Sequence, residues 1–409
     1  MHLIPESDRV ILRRLAQKQV EFAHSEENDR ILKQWQALGQ GRRENPTVRL
    51  LFCNFWDEVV FPRMQCTSPL GRELEGQLLS TMVGRELFGD DTPISPTFDV
   101  SWQTWAEPFA NKPNLTHSAK GYHIHPIIED LEEDFEKLQF GSFGVDRDAT
   151  ERRVSIAQEV LGDILPVRMV MGSLCGGITN QLVMLMGLEN LYYAFYDAPE
   201  KFHEVMDRVT TMYEQYYDFL EQEKLLLPTC GISPINQESF AFNHELPDAN
   251  IERTTQVWGF LENQETTATS PEIYGEFIYP YQDRLVRRFG LLSYGCCERV
   301  DAIWPDYLSK WKNLRKLSVS PFNNEPLVGE YLRGTNVVYY SKPRAELMTN
   351  PGPLDEDALR NYFKGVCEAA SGCLFEIAQR EVCTIFGDFQ RGRRYVQIAR
   401  ECVDKYWKP

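Results

Sequence analysis

Six short segments of the chain hold the residue types that do chemistry. Glu262-Asn263-Gln264-Glu265 sets two carboxylates and two amides within four positions, and Tyr294-Gly295-Cys296-Cys297-Glu298 adds a phenol, two thiols and a further carboxylate. Ser318-Val319-Ser320-Pro321-Phe322-Asn323 and Ser341-Lys342-Pro343 offer hydroxyls, an amide and an amine. Glu376 leads to Arg380, Glu381 and Cys383, and the apolar run at 48–52 opens onto Cys53, Asn54, Trp56 and Asp57. Paired carboxylates can divide acid and base roles, a thiolate can attack or ligate, and amines and amides can orient a polar substrate. Each segment lies at or just beyond the end of a short apolar run. That shared placement is the first clue to architecture.

The runs read as strands. Eight candidates stand at 48–52, 166–171, 227–231, 255–262, 291–297, 314–320, 336–341 and 373–378. Several segments between them carry helix-start signals. Asp197-Ala-Pro-Glu200 has a cap with a Glu three positions on, and Ser270-Pro271-Glu272 supplies a cap, a first-turn proline and a first-turn acid. The later strands recur roughly every 25 to 40 residues, the spacing of a (β/α)8 TIM barrel. The expected fold class is therefore α/β, a barrel over residues 48–409 preceded by a helical extension over 1–47. About 115 residues separate the first two strands, too many for one crossover. They read as helices plus a long insertion over the barrel mouth.

In a barrel the active site lies where strands end and βα loops begin. Glu265, Glu298 and Tyr294 are the expected catalytic groups, with Trp56, Gln264, His244, Asn323 and Lys342 expected to bind substrate. His244 is included because it sits in a long stretch between two strands, where loops are often functional. Strand alternation would put Tyr294 and Cys296 on one side. If eight strands close, Cys296 and Cys383 lie on neighbouring elements, with Glu298 or Glu265 as a third zinc ligand. Most other cysteines, such as Cys66, Cys175 and Cys367, read as small buried apolar groups. His123 and His125 alternate as a strand would place them and read as structural. No Walker A loop, Gly-x-Gly-x-x-Gly or Gly-x-Ser-x-Gly is present.

Composition narrows the classes. The chain has 409 residues, 43% hydrophobic and 25% charged, with a formal net charge of −17. These are globular values, and a surface of that sign repels phosphate backbones, which argues against nucleic acid. No apolar run approaches a membrane span and no signal-peptide core opens the sequence, so a cytoplasmic protein with ten reduced thiols is expected.

Several segments, taken in order, resemble the uroporphyrinogen decarboxylase superfamily. They are Val145-Asp-Arg-Asp-Ala-Thr150, Met186-Gly-Leu-Glu-Asn190, Trp258 to Glu265, Ser270-Pro-Glu-Ile-Tyr-Gly-Glu-Phe277 with Ile278-Tyr-Pro280, Tyr294 to Glu298, Leu317-Ser-Val-Ser-Pro321, and Phe375-Glu-Ile through Cys383-Thr384. The likeness runs from about Val48 to the C-terminus and is greatest to the branch related to cobalamin-dependent methyltransferases. It implies a (β/α)8 barrel with its site at the strand C-termini. In those methyltransferases a His-x-Cys and a later Cys bind zinc, which activates a thiol; here Tyr294-Gly295-Cys296 keeps the cysteine and replaces the histidine. Cys383 falls where relatives in the branch more often have His. The corrinoid pattern Asp-x-His-x-x-Gly is absent, so cobalamin would arrive on a separate corrinoid protein. The decarboxylases share an Arg-rich N-terminal segment, whereas residues 52–63 here carry one Arg and two acids, which would repel a polycarboxylate. The resemblance implies transfer of a methyl group between a small methylated compound and a corrinoid protein or thiol, by an enzyme that could act as a homodimer. Two other readings stay open: a metal-independent lyase or decarboxylase of a small carboxylated substrate, and a non-catalytic barrel.

Overall fold

The computed structural model describes residues 4–118 and 121–409. Eight parallel strands form its centre. They are β1 (Thr47–Leu50), β2 (Phe98–Ser101), β3 (Val167–Val170, resuming at Leu174–Cys175), β4 (Trp258–Leu261), β5 (Leu291–Tyr294), β6 (Leu314–Val319), β7 (Val338–Ser341) and β8 (Leu374–Gln379). A seven-stranded sheet runs β1–β8–β7–β6–β5–β4 to Leu174–Cys175, and β2 pairs with Val167–Val170 in a separate ladder. The arrangement resembles a TIM barrel but is not closed, because no ladder joins β1 to β2.

Seven of the eight expected strands are present, with ends shifted by up to three residues. The segment 227–231 is not a strand: Pro228 lacks a ladder donor, and Thr229 meets the start of β4 through its hydroxyl, which accepts from the Trp258 N–H at 2.8 Å. The missing strand is Phe98–Ser101, four residues hidden behind a Pro-rich run. This relocates the insertion. Residues 51–97 hold helix Pro69–Val83, while the excursion lies between β2 and β3 as two antiparallel ribbons, Gln103–Phe109 with Phe140–Asp146 and Asn114–Ser118 with Gly121–His125. Ser270 caps its helix by accepting from the Ile273 N–H, as expected. Asp197 instead ends the preceding helix, Ile178–Asp197, so Ala198 is the cap of the next.

At the open seam, side chains replace the absent ladder. The Val48 N–H donates to Asp91 Oδ2 at 2.9 Å and the Leu50 N–H to Asp90 Oδ2 at 3.1 Å. Asp91 is fully buried and also takes Arg30 and Arg400 as ion partners. Gly84 must be glycine here, since a Cβ would stand 2.5 Å from Asp90 Oδ1.

The bore is not filled by strand side chains alone. The hairpin Pro234–Ile235 with Ser239–Phe240 rises from the floor inside it. Its residues reach Arg49 on β1, Ser173 in the gap of β3, and Tyr340 and Glu376 between, so the sheet is curled around it. Midway, Lys316 Nζ donates to Ser239 Oγ at 2.5 Å and to Glu376 Oε2 at 2.7 Å, while the Ser239 hydroxyl donates to Glu376 Oε1 at 2.8 Å. Both charges are buried, and each satisfies the other.

The N-terminal helices α1 (Glu6–Ala23) and α2 (Glu26–Gly39) are integral to the barrel. Leu12 and Ala16 of α1 pack against Leu74 and Leu78, and Trp35 of α2 closes the floor against Phe242, Val338 and Leu374. No helix of the described residues is long and apolar enough to cross a membrane.

Lys316→Met leaves the Glu376 carboxylate buried without its cation. It should lower unfolding free energy by about 3–5 kcal/mol in urea titration. A loss under 1 kcal/mol would mean that the hairpin does not depend on this pair.

Candidate active site

The mouth is built by the period-two alternation of the strands. Trp258 packs in the bore against Ile235 and Ala241 of the hairpin, so the series Trp258, Phe260, Glu262 faces inward. Glu262 therefore ends that series at the mouth. It is 7% exposed, and one carboxylate oxygen accepts from the Gln264 N–H at 2.8 Å. Burial, reinforced by Glu265 and Glu298, lifts its pKa well above the usual carboxylate range. A carboxyl shifted in this direction holds its proton to higher pH than an exposed one does, which suits a proton donor. The same alternation, applied to the sequence, points to Glu262 ahead of its neighbours.

Glu265 is held differently. Thr179 Oγ1 and Asn180 Nδ2, in the first turn of helix Ile178–Asp197, each donate to it at 2.9 Å. The helix dipole and these donors suit a carboxylate. Gln264 shares this short turn, and its backbone serves Glu262.

Glu298 is 2% exposed and braces the mouth. Its two oxygens accept from the Asn263 N–H at 3.0 Å and the Cys296 N–H at 2.6 Å, joining the loops after β4 and β5. Burial raises its pKa against those hydrogen bonds.

Tyr294 faces away from the mouth. It ends the outward series, fully buried against Trp311, with its hydroxyl donating to Asn263 Oδ1 at 2.5 Å. Gly295 then adopts φ 98°, a left-handed value that breaks the strand before Cys296. Tyr294 and Cys296 therefore do not share a side, and Tyr294 steadies Asn263 from behind. Asn323 is likewise occupied by the framework, accepting from the Asp301 N–H and donating to the Glu298 and Ser320 carbonyls. His244 is at the opposite end, under the floor, with Nδ1 3.0 Å from the Gly39 carbonyl oxygen. The loop that carries it enters the barrel from below, so its length serves the hairpin.

Lys342 does reach the mouth. It is buried, with Nζ 2.7 Å from Gln237 Oε1 and 3.4 Å from the Cys296 carbonyl oxygen. Desolvation lowers its pKa. Trp56 lies at the rim of a cavity of ≈ 790 Å³ beside the open seam, its indole N–H donating to Ser80.

The thiols do not assemble as a zinc site. Cys296 is buried with its sulfur 3.6 Å from that of Cys297, whereas Cys383 is exposed and its sulfur approaches the Glu381 carbonyl at 3.8 Å. Glu298 has both oxygens engaged by backbone N–H groups. Among the described residues no group of three His, Cys, Asp or Glu side chains could hold a metal ion. The expected set Cys296, Cys383 and Glu298 does not fit a tetrahedral ion.

Cys297 is the thiol with a depressed pKa, because the Cys296 S–H stabilises its thiolate and Lys342 adds positive charge. Burial beside Glu238 pushes Cys53 up to about 11. At pH 8 iodoacetamide mapped by mass spectrometry should label Cys297 well before Cys53, although Cys53 is the more exposed. Protein purified without chelator should carry far less than one zinc per chain, a level unchanged by Cys296→Ser or Cys383→Ser. Stoichiometric zinc lost on either substitution would overturn the reading of the donor set.

No protein-family model matches the chain, and no curated protein matches it by sequence. Among solved structures, the fold is similar to that of a methyltransferase from Methanosarcina mazei, with a TM-score of 0.52 and 13% sequence identity over 91% of this chain and 98% of that one. At that identity the likeness extends to the fold.

Proposed function

We propose that the chain is a methyltransferase acting at the mouth of a (β/α)8-type barrel, within the branch of the uroporphyrinogen decarboxylase superfamily that its segments resemble. The observation that carries the reading is Glu262, a buried carboxyl ending the inward series of β4, whose pKa is raised by burial and by Glu265 and Glu298. A barrel fold similar to that of a methyltransferase supports it. The donor is a small methylated compound. Its methyl passes to a nucleophilic acceptor, a thiol or a corrinoid carried by a separate protein, and the acceptor supplies the new bonding pair. The heteroatom that held the methyl keeps the old pair and takes a proton from Glu262, so the leaving group departs neutral. Asn263, steadied by Tyr294 and bound through its N–H to Glu298, fixes the loop on which Glu262 sits.

A panel of CD3-labelled small amines, ethers and thioethers, offered with reduced free cobalamin or with a thiol, tests this by mass spectrometry of the acceptor. Transfer is expected with at least one donor, and Glu262→Gln should cut kcat by roughly 10²–10⁴. No transfer across the panel, with CO₂ released from a small acid instead, would replace the reading with a lyase.

A further inference from the structure

The tip of the bore hairpin is strained. Gln237 and Glu238 sit side by side in left-handed backbone, φ 67° and 65°, within the three-residue loop of Asn236, Gln237 and Glu238 that joins Ile235 to Ser239. Side chains with a Cβ pay in stability to adopt it, and such strain collects at functional sites. Here it holds one amide in one place. Gln237 Oε1 accepts from Lys342 Nζ at 2.7 Å and also from Arg380 Nη1, while the Gln237 carbonyl accepts from the Tyr340 hydroxyl at 2.5 Å.

Two cations thus converge on a neutral oxygen. Among the described residues, the other acceptor of Lys342 is a backbone carbonyl, that of Cys296. Arg380 Nε is buried without a hydrogen-bond partner. Glu238 Oε2 makes a long ion pair with it at 3.9 Å, and Glu381 one with Nη2 at 3.7 Å. Glu298 is close, but its oxygens are committed to backbone N–H groups. Two donors from different strand ends, aimed at one oxygen, match the paired oxygens of a carboxylate better than an amide.

We propose that Lys342 and Arg380 form a carboxylate-binding subsite at the mouth, which the Gln237 amide occupies until a substrate carboxylate displaces it. The tip has somewhere to go: Glu238, Pro234 and Phe240 line the ≈ 790 Å³ cavity at the open seam. Leaving the subsite also releases the strained turn. A singly charged carboxylate suits the place better than a phosphate dianion, because Glu238 and Glu381 flank it. The proposal rests on the mouth being the substrate site and adds that the substrate of the reaction above carries a carboxylate.

Calorimetric titration of the full chain with acetate, and separately with inorganic phosphate, tests this without turnover. Gln237→Gly removes the competing amide and accepts the positive φ, so it should bind acetate at least tenfold more tightly than the unsubstituted chain. Adding Lys342→Met to that variant should abolish the gain. Equal acetate affinity in the unsubstituted chain and Gln237→Gly overturns the proposal, as does binding that survives Lys342→Met or a preference for phosphate. Should the double variant not fold, the comparison of Gln237→Gly with the unsubstituted chain decides alone. Because only binding is read, failure here leaves the methyl-transfer assay standing, and failure there leaves this subsite standing.

Discussion

Lys316, Ser239 and Glu376 meet in the middle of the bore, away from water, and each completes the others' hydrogen bonding. Burying two charges costs several kcal/mol per ion unless the geometry is good, and it is good only while Ser239 is present between them. The hairpin is therefore not an accessory lying in a pre-formed barrel. Its backbone and the inward faces of β6 and β8 form one polar core, joined by Arg49, whose guanidinium lies 4.5 Å from the Phe240 ring centre.

Much else follows from that occupancy. The hairpin takes up much of the bore, and the space beside it is the ≈ 790 Å³ cavity lined by Arg49, Asp99, Val170 and Phe240. The wall is open between β1 and β2, where the edge N–H groups of β1 go to Asp90 and Asp91. Buried donors demand partners, and two carboxylates supply them where a strand would otherwise be needed. The same opening provides the large cavity alongside the hairpin tip.

At the mouth, framework and chemistry are divided among similar residues by small geometric differences. Glu298 and Asn323 spend their polar atoms on backbone, tying the loops after β4, β5 and β6 together. Glu262 spends one oxygen on a backbone N–H and points the carboxyl inward. Cys296 and Cys297 touch each other, and their Lys342 neighbour is tied to the hairpin. Polarity at a strand end marks a candidate, and what else the side chain must hold up decides its role.

The sequence by itself determined the strand-rich pattern, seven of the eight strands, and the placing of Glu262, Cys296, Glu298 and Lys342 at or just beyond strand ends. Those features are local: apolar runs, alternation and caps act over a few residues. Four-residue β2 lay below that signal, and Pro228 sat in a run apolar enough to imitate a strand. Only the tertiary structure decided that the stretch carrying His244 enters from the floor, that Tyr294 turns outward and that Cys383 is exposed while Cys296 is buried. Each depends on contacts between segments far apart in the chain. One left-handed residue, Gly295, is enough to cancel an alternation that holds everywhere within β5.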